Sequence, residues 1–107
     1  MKFGKYKTYT EFLRDTSVTK ERLIDLIVNY ETKACTYVPR HPNFTPDIFE
    51  YMFKHELWYV RMVGYFHHYF GENTILERAK NLVRDKKEDK RILNRASLLI
   101  EAIENQK

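Results

Sequence analysis

Histidine, cysteine and serine are the side chains with which a short chain most readily holds a metal or forms a covalent intermediate. Here they are few and badly spaced. His55, His67 and His68 fall within one stretch. On a helix, neighbours such as His67 and His68 point about 100° apart. His55-Glu56 is not followed by the second histidine, four residues after the first, that a helix-borne zinc site requires. His68 and Glu72 form one further pair, with Gly71 between them. Cys35 stands alone, Ser17 and Ser97 have no neighbouring base, and carboxylate pairs such as Asp85 with Asp89 are what any charged helix offers. Gly4, Gly64 and Gly71 are too scattered to form a loop that cradles phosphate. No catalytic residue, metal site or cofactor is expected, and the chain reads as a protein other than an enzyme.

Recognition is better supplied than catalysis. Ten of the 16 aromatic residues lie between Phe44 and Phe70. Read as a helix, that stretch puts Ile48, Met52, Tyr59, Val63, Phe66 and Phe70 on one broad core face. Tyr51, Trp58, Tyr65 and Tyr69 form a stripe on its flank, the first three spaced by seven. Tyr and Trp combine large apolar area with a polar tip and dominate interface hot spots, so the stripe is a candidate partner-binding face. Self-association through it, as a homodimer, is a further expectation. The loop Val38-Pro39-Arg40-His41-Pro42 adds two donors, Arg40 and His41, stiffened by prolines and flanked by Tyr37 and Phe44.

The formal charge of +4 is unevenly placed. Residues 1–77 are balanced, while residues 78–95 carry eight basic against three acidic side chains. Arg84, Lys86, Lys87, Lys90, Arg91 and Arg95 are the cations expected to meet an acidic surface or a phosphate backbone. Lys2, Lys5 and Lys7 form a smaller basic tip.

These groups must be positioned by helices. Thr8 begins a short helix over 8–15, with Glu11 at its third position. Thr19 caps a second, from 20 to about 35, with Leu23, Leu26, Ile27, Tyr30 and Ala34 on its inner face. Pro39 and Pro42 exclude a helix over 36–45. Thr45-Pro46-Asp47 is a strong start signal, and a third helix is expected from 46 to about 70. Gly64 would mark a close crossing with a neighbour. A fourth helix starts near Asn73 or Thr74, and a fifth near Asp85, unless the two fuse around Lys86-Lys87. Tyr9 to Tyr30 also reads helix, turn, helix. Leu13, however, stands where a small residue lets such helices cross, and Glu21 and Asp25 would face the phosphates.

A composition of 43% apolar and 32% charged residues fits a folded chain rather than a disordered one. The expectation is one all-α domain over 1–107, with four or five helices around a long central helix at 46–70. No stretch is apolar enough to cross a membrane, and Met-Lys-Phe-Gly-Lys-Tyr-Lys has no apolar core of an export signal. With a single cysteine, this places the chain in the cytoplasm. A short Lys-, Tyr- and Asn-rich chain of this kind is similar in style to small accessory regulators, including those of phages and mobile elements. The expected function is a non-enzymatic regulator that binds a protein partner through the aromatic face and the basic segment. Nucleic-acid binding by residues 78–95 is the alternative.

Overall fold

The computed structural model describes residues 6–29 and 35–106. The architecture is all-helical, with no β-strand among those residues. The chain divides into two compact units, Met1–Gly64 and Tyr65–Lys107. The continuation of the second helix through Tyr30 and Ala34, and the basic tip at Lys2 and Lys5, lie outside the described residues.

In the first unit the sequence signals for helix starts are obeyed. The Thr8 hydroxyl accepts from the Glu11 amide at 3.1 Å and opens α1 (Tyr9–Arg14). The Thr19 hydroxyl accepts from the Arg22 amide at 3.1 Å and opens α2 (Lys20–Asn29). Each cap satisfies one amide that the first turn of a helix leaves unpaired. Phe12, Leu23, Leu26 and Ile27 are fully buried, at about 1.5–3 kcal/mol apiece for large aliphatic and aromatic side chains. Two short 3-10 turns follow, Val38–Arg40 and Pro46–Ile48, each with a proline near its start. The second leads directly into α3 (Phe49–Phe53), which packs against α2. The Lys20 ammonium donates to the Asp47 carboxylate and ties the start of α2 to the turn before α3.

The segment from 46 to 70 is not one helix. It breaks after α3, and α4 (Trp58–Tyr65) begins after four intervening residues. Local hydrogen bonds seal the break. The His55 Nδ1 accepts from the Leu57 amide at 3.0 Å, and the Arg61 guanidinium donates to the carbonyls of His55 and Glu56 at 2.7 and 2.9 Å. The physical reason for the break is packing. A continuous helix would hold Met52 and Gly64 about 18 Å apart. Instead, a Cβ placed on Gly64 would lie 2.8 Å from the Met52 Cβ. The close crossing marked by Gly64 is therefore real, and its partner is the first half of the same segment. Folded back, α4 brings Gly64 against Met52 and Phe53 of α3.

In the second unit, α5 (Glu72–Asp85) and α6 (Lys90–Glu104) form a packed helical hairpin. Leu76 and Ala79 of α5 and Ile92, Ala96 and Ile103 of α6 are buried. The two helices do not fuse: Lys86 adopts φ 54°, the left-handed region that ends a helix. Asp89 then caps α6, its carboxylate accepting from the Arg91 amide at 2.8 Å. Arg78 ties the preceding turn to α5. Its guanidinium donates to the Tyr65 carbonyl at 2.7 Å and lies 4.3 Å from the centre of the Phe70 ring.

Candidate functional site

With the 46–70 rod broken, the seven-residue spacing of the tyrosine and tryptophan residues no longer describes one stripe. Tyr51 lies on α3 and is 45% exposed. Trp58 is the first residue of α4, half-buried, with its ring edge-on to Tyr59 at 5.7 Å. Tyr65 ends α4, and its hydroxyl donates to the Glu88 carboxylate at 2.8 Å, so that its polar tip is occupied within its own unit. Tyr69 falls in the turn beyond and is 51% exposed. Tyr51 and Tyr69 therefore keep the exposure a partner would need, but as separate positions rather than as one helix face.

The proline loop is also reassigned in part. His41 is 3% exposed and does not stand at a loop tip. Its Nε2–H donates to the Asp15 carbonyl at 2.9 Å and its Nδ1 accepts from the Asn43 amide at 3.0 Å. The ring also sits 4.8 Å from that of Phe12. Asn43 extends the same staple, its amide donating to the carbonyls of Thr16 and Val18 at 3.0 and 2.9 Å. The loop thus satisfies backbone groups of the α1–α2 turn. Arg40 alone remains outside, its guanidinium 5.4 Å from the centre of the Tyr37 ring, which in turn stacks on Tyr9 at 3.6 Å.

The other reactive groups serve structure. His67 repeats the pattern of His41 and His55, its Nδ1 accepting from the amide two residues on, Tyr69, at 3.0 Å. Burial pushes the Cys35 thiol up to about 11, which suppresses the reactive thiolate. The Tyr6 hydroxyl donates to Asp15 at 2.6 Å beside a 340 Å³ cleft lined by Ser17, Thr19 and Arg22. Arg22 there is paired with Asp25 at 2.6 Å. Among the described residues no group of His, Cys, Asp or Glu is arranged to hold a metal ion. Nor is any helix there long and apolar enough to cross a membrane.

The basic segment resolves into two classes of cation. Lys80 pairs with Glu104 at 3.3 Å, and Arg84 pairs with its neighbour Asp85 at 3.3 Å. Arg91 grips Asp89 through two bonds, at 3.0 and 2.9 Å, which raises its already high pKa further. Lys86, Lys87, Lys90 and Arg95 are exposed and form no ion pair among the described residues. Lys86, Lys87 and Lys90 lie at the connection between α5 and α6, and Arg95 lies on the second turn of α6. Beside them runs an open groove of about 680 Å³, with Val83 and Leu93 on its apolar side and Lys86, Lys90, Asn94 and Ser97 completing the lining with Glu88. Both Glu88 oxygens are engaged, one by the Tyr65 hydroxyl and one by the Asp89 amide at 2.8 Å. Leu98, 57% exposed, follows Asn94 by four residues and so continues the same face of α6. The sequence shows these residues, but only the pairing of helices shows that Val83 and Leu93 share a groove.

Compared with models of protein families, with curated proteins and with solved structures, the chain matches none.

Proposed function

We propose that this chain is a small non-enzymatic regulator that binds an acidic protein surface through the connection between α5 and α6, and that it acts in the cytoplasm. The observation that carries the proposal is the clustering of cations that form no ion pair. Lys86, Lys87 and Lys90 fall within five residues, with Arg95 five further on, and form no ion pair among the described residues, whereas the other such cations, Lys7, Arg14, Arg40 and Lys54, are spread widely along the sequence. Unneutralised charge gathered on a helical connection steers association and discriminates between partners. Tyr51 and Tyr69, about half exposed, would add aromatic contact area. The absence of a catalytic function is read from the sequence, where no nucleophile has a neighbouring base.

Nucleic-acid binding by the same four cations is the second reading. Against it, the two arginines best suited to phosphate, Arg84 and Arg91, are already paired. Affinity capture from the source cell, with and without nuclease, compares the native chain with Lys86→Glu/Lys87→Glu/Lys90→Glu/Arg95→Glu. The proposal expects protein partners that survive nuclease and are lost by the fourfold variant. Recovery of the same partners by both chains overturns it, and loss of all partners on nuclease treatment supports the second reading.

A further inference from the structure

We propose that the outward face of α6 joins two copies of this chain as an antiparallel helix pair, with Leu98 of each copy on the twofold axis. The inference stands apart from the proposed function, because Lys86, Lys87 and Lys90 take no part in it.

The face is open. Leu98 is 57% exposed, the most exposed large apolar side chain among the described residues. Asn94, Arg95, Glu101 and Ala102 around it are exposed as well. The other side of α6, with Ile92, Ala96 and Ile103, is the one spent on burial. A lone leucine on a helix surface is ordinary, but the charges around this one name its counterpart. Arg95 and Glu101 stand three residues before and three residues after Leu98. At 100° per residue they lie about 60° to either side of it and about 4.5 Å toward either end. Neither forms an ion pair among the described residues. Nor can they serve one another, since pairing along a helix needs a spacing of three or four.

A twofold axis through Leu98 reverses the helix direction and exchanges its two sides. A residue a given number of places before Leu98 then faces the residue as many places after Leu98 of the second copy. Leucine meets leucine. Arg95 meets Glu101 of the second copy, and Glu101 meets its Arg95. Two ion pairs close, of the kind that sets partner choice and orientation between paired helices. Asn94 meets Ala102, whose short side chain permits close approach. The stretch from Asn94 to Ala102 is thus its own complement, as a contact between identical surfaces requires.

The same pattern disfavours other occupants. A parallel pair would set Arg95 on Arg95 and Glu101 on Glu101. A uniformly acidic or basic partner would satisfy one of the two charges and be repelled by the other. The basic connections do not collide in the antiparallel pair. They fall at opposite ends, about 24 Å apart, because α6 begins eight residues before Leu98. That is well beyond the screening length of about 8 Å at physiological salt.

Sedimentation equilibrium of the full chain, at concentrations up to about 1 mM, tests this. One helix face per copy is a small contact beside the roughly 1,200–2,000 Å² of stable complexes, so a reversible dimer is expected. Leu98→Asp should abolish it. Arg95→Glu or Glu101→Arg alone turns two attractions into two repulsions and should weaken it about tenfold or more. The double variant Arg95→Glu/Glu101→Arg restores both pairs and should dimerise as the native chain does. Mixed together, the two single variants should form a heterodimer more tightly than either forms a homodimer. All three positions are exposed, and an unchanged helical circular-dichroism signal identifies variants that keep the fold. A native chain that stays monomeric throughout overturns the proposal. So does a dimer that survives Leu98→Asp, or a double variant that dimerises no better than the single ones.

Discussion

The Tyr6 phenol is pushed up to about 12, first by burial, then by its hydrogen bond to the Asp15 carboxylate and by that carboxylate's charge. The folded state therefore favours the protonated phenol. Its contribution to stability is complete below the ordinary tyrosine value of about 10 and is lost as pH rises from there toward 12. Ultraviolet titration should show one tyrosine ionising about two pH units late, and Tyr6→Phe should abolish that late step. Its persistence in the variant would mean that another tyrosine carries the shift. The histidines show why single residues mislead when read from sequence. His41, His55 and His67 differ in burial but share one role: each offers Nδ1 to the amide two residues on. Such a bond depends on a turn, and a turn at 55–57 or 67–69 cannot be inferred while the segment reads as continuous helix. The signal for His41 was present, because Pro42 already forbids a helix and Asn43 is a turn residue.

At the scale of elements, the starts in the first unit were legible, while α5 begins at Glu72 rather than Asn73 or Thr74, α6 begins at Lys90 rather than near Asp85, and the interruption of the 46–70 segment was not legible. Thr8, Thr19 and Pro46 act locally, so their effect is written beside them. The break between α3 and α4 is decided by residues twelve apart in sequence, Met52 and Gly64, while the apolar periodicity runs through it undisturbed. Gly64→Ala tests that account. Alanine favours a helix by about 1 kcal/mol over glycine, but here its Cβ would meet Met52 at 2.8 Å. Overpacking of this kind costs about 1–3 kcal/mol, so chemical denaturation should show net destabilisation; a stabilised variant would place the two helices further apart. Lys86 supplies the opposite case. Its φ of 54° is the conformation for which glycine is the usual residue. Lys86→Gly should raise stability by about 1 kcal/mol through relief of that strain, measured by the same denaturation. If Lys86 contributes to recognition, the stabilised variant should bind partners less well, a trade of stability against function.

For the whole chain, the net charge of +4 understates the local field, because residues 1–77 are balanced and the excess of basic side chains falls within residues 78–95. Salt at physiological strength screens exposed charges beyond about 8 Å, so a partner senses this local group rather than the total. That distinction has a measurable consequence for the competing nucleic-acid reading. Each neutralised phosphate contributes about −0.9 to the slope of log affinity against log salt on duplex DNA. Four unpaired cations, Lys86, Lys87, Lys90 and Arg95, therefore allow a slope no steeper than about −4, and the paired Arg84 and Arg91 reach phosphate only by giving up Asp85 and Asp89. A titration of duplex binding between low and physiological salt should give this shallow slope, with no preference among sequences. A markedly steeper slope would require the paired arginines to be released onto DNA, and would make phosphate, rather than an acidic protein surface, the natural counterpart of the basic segment.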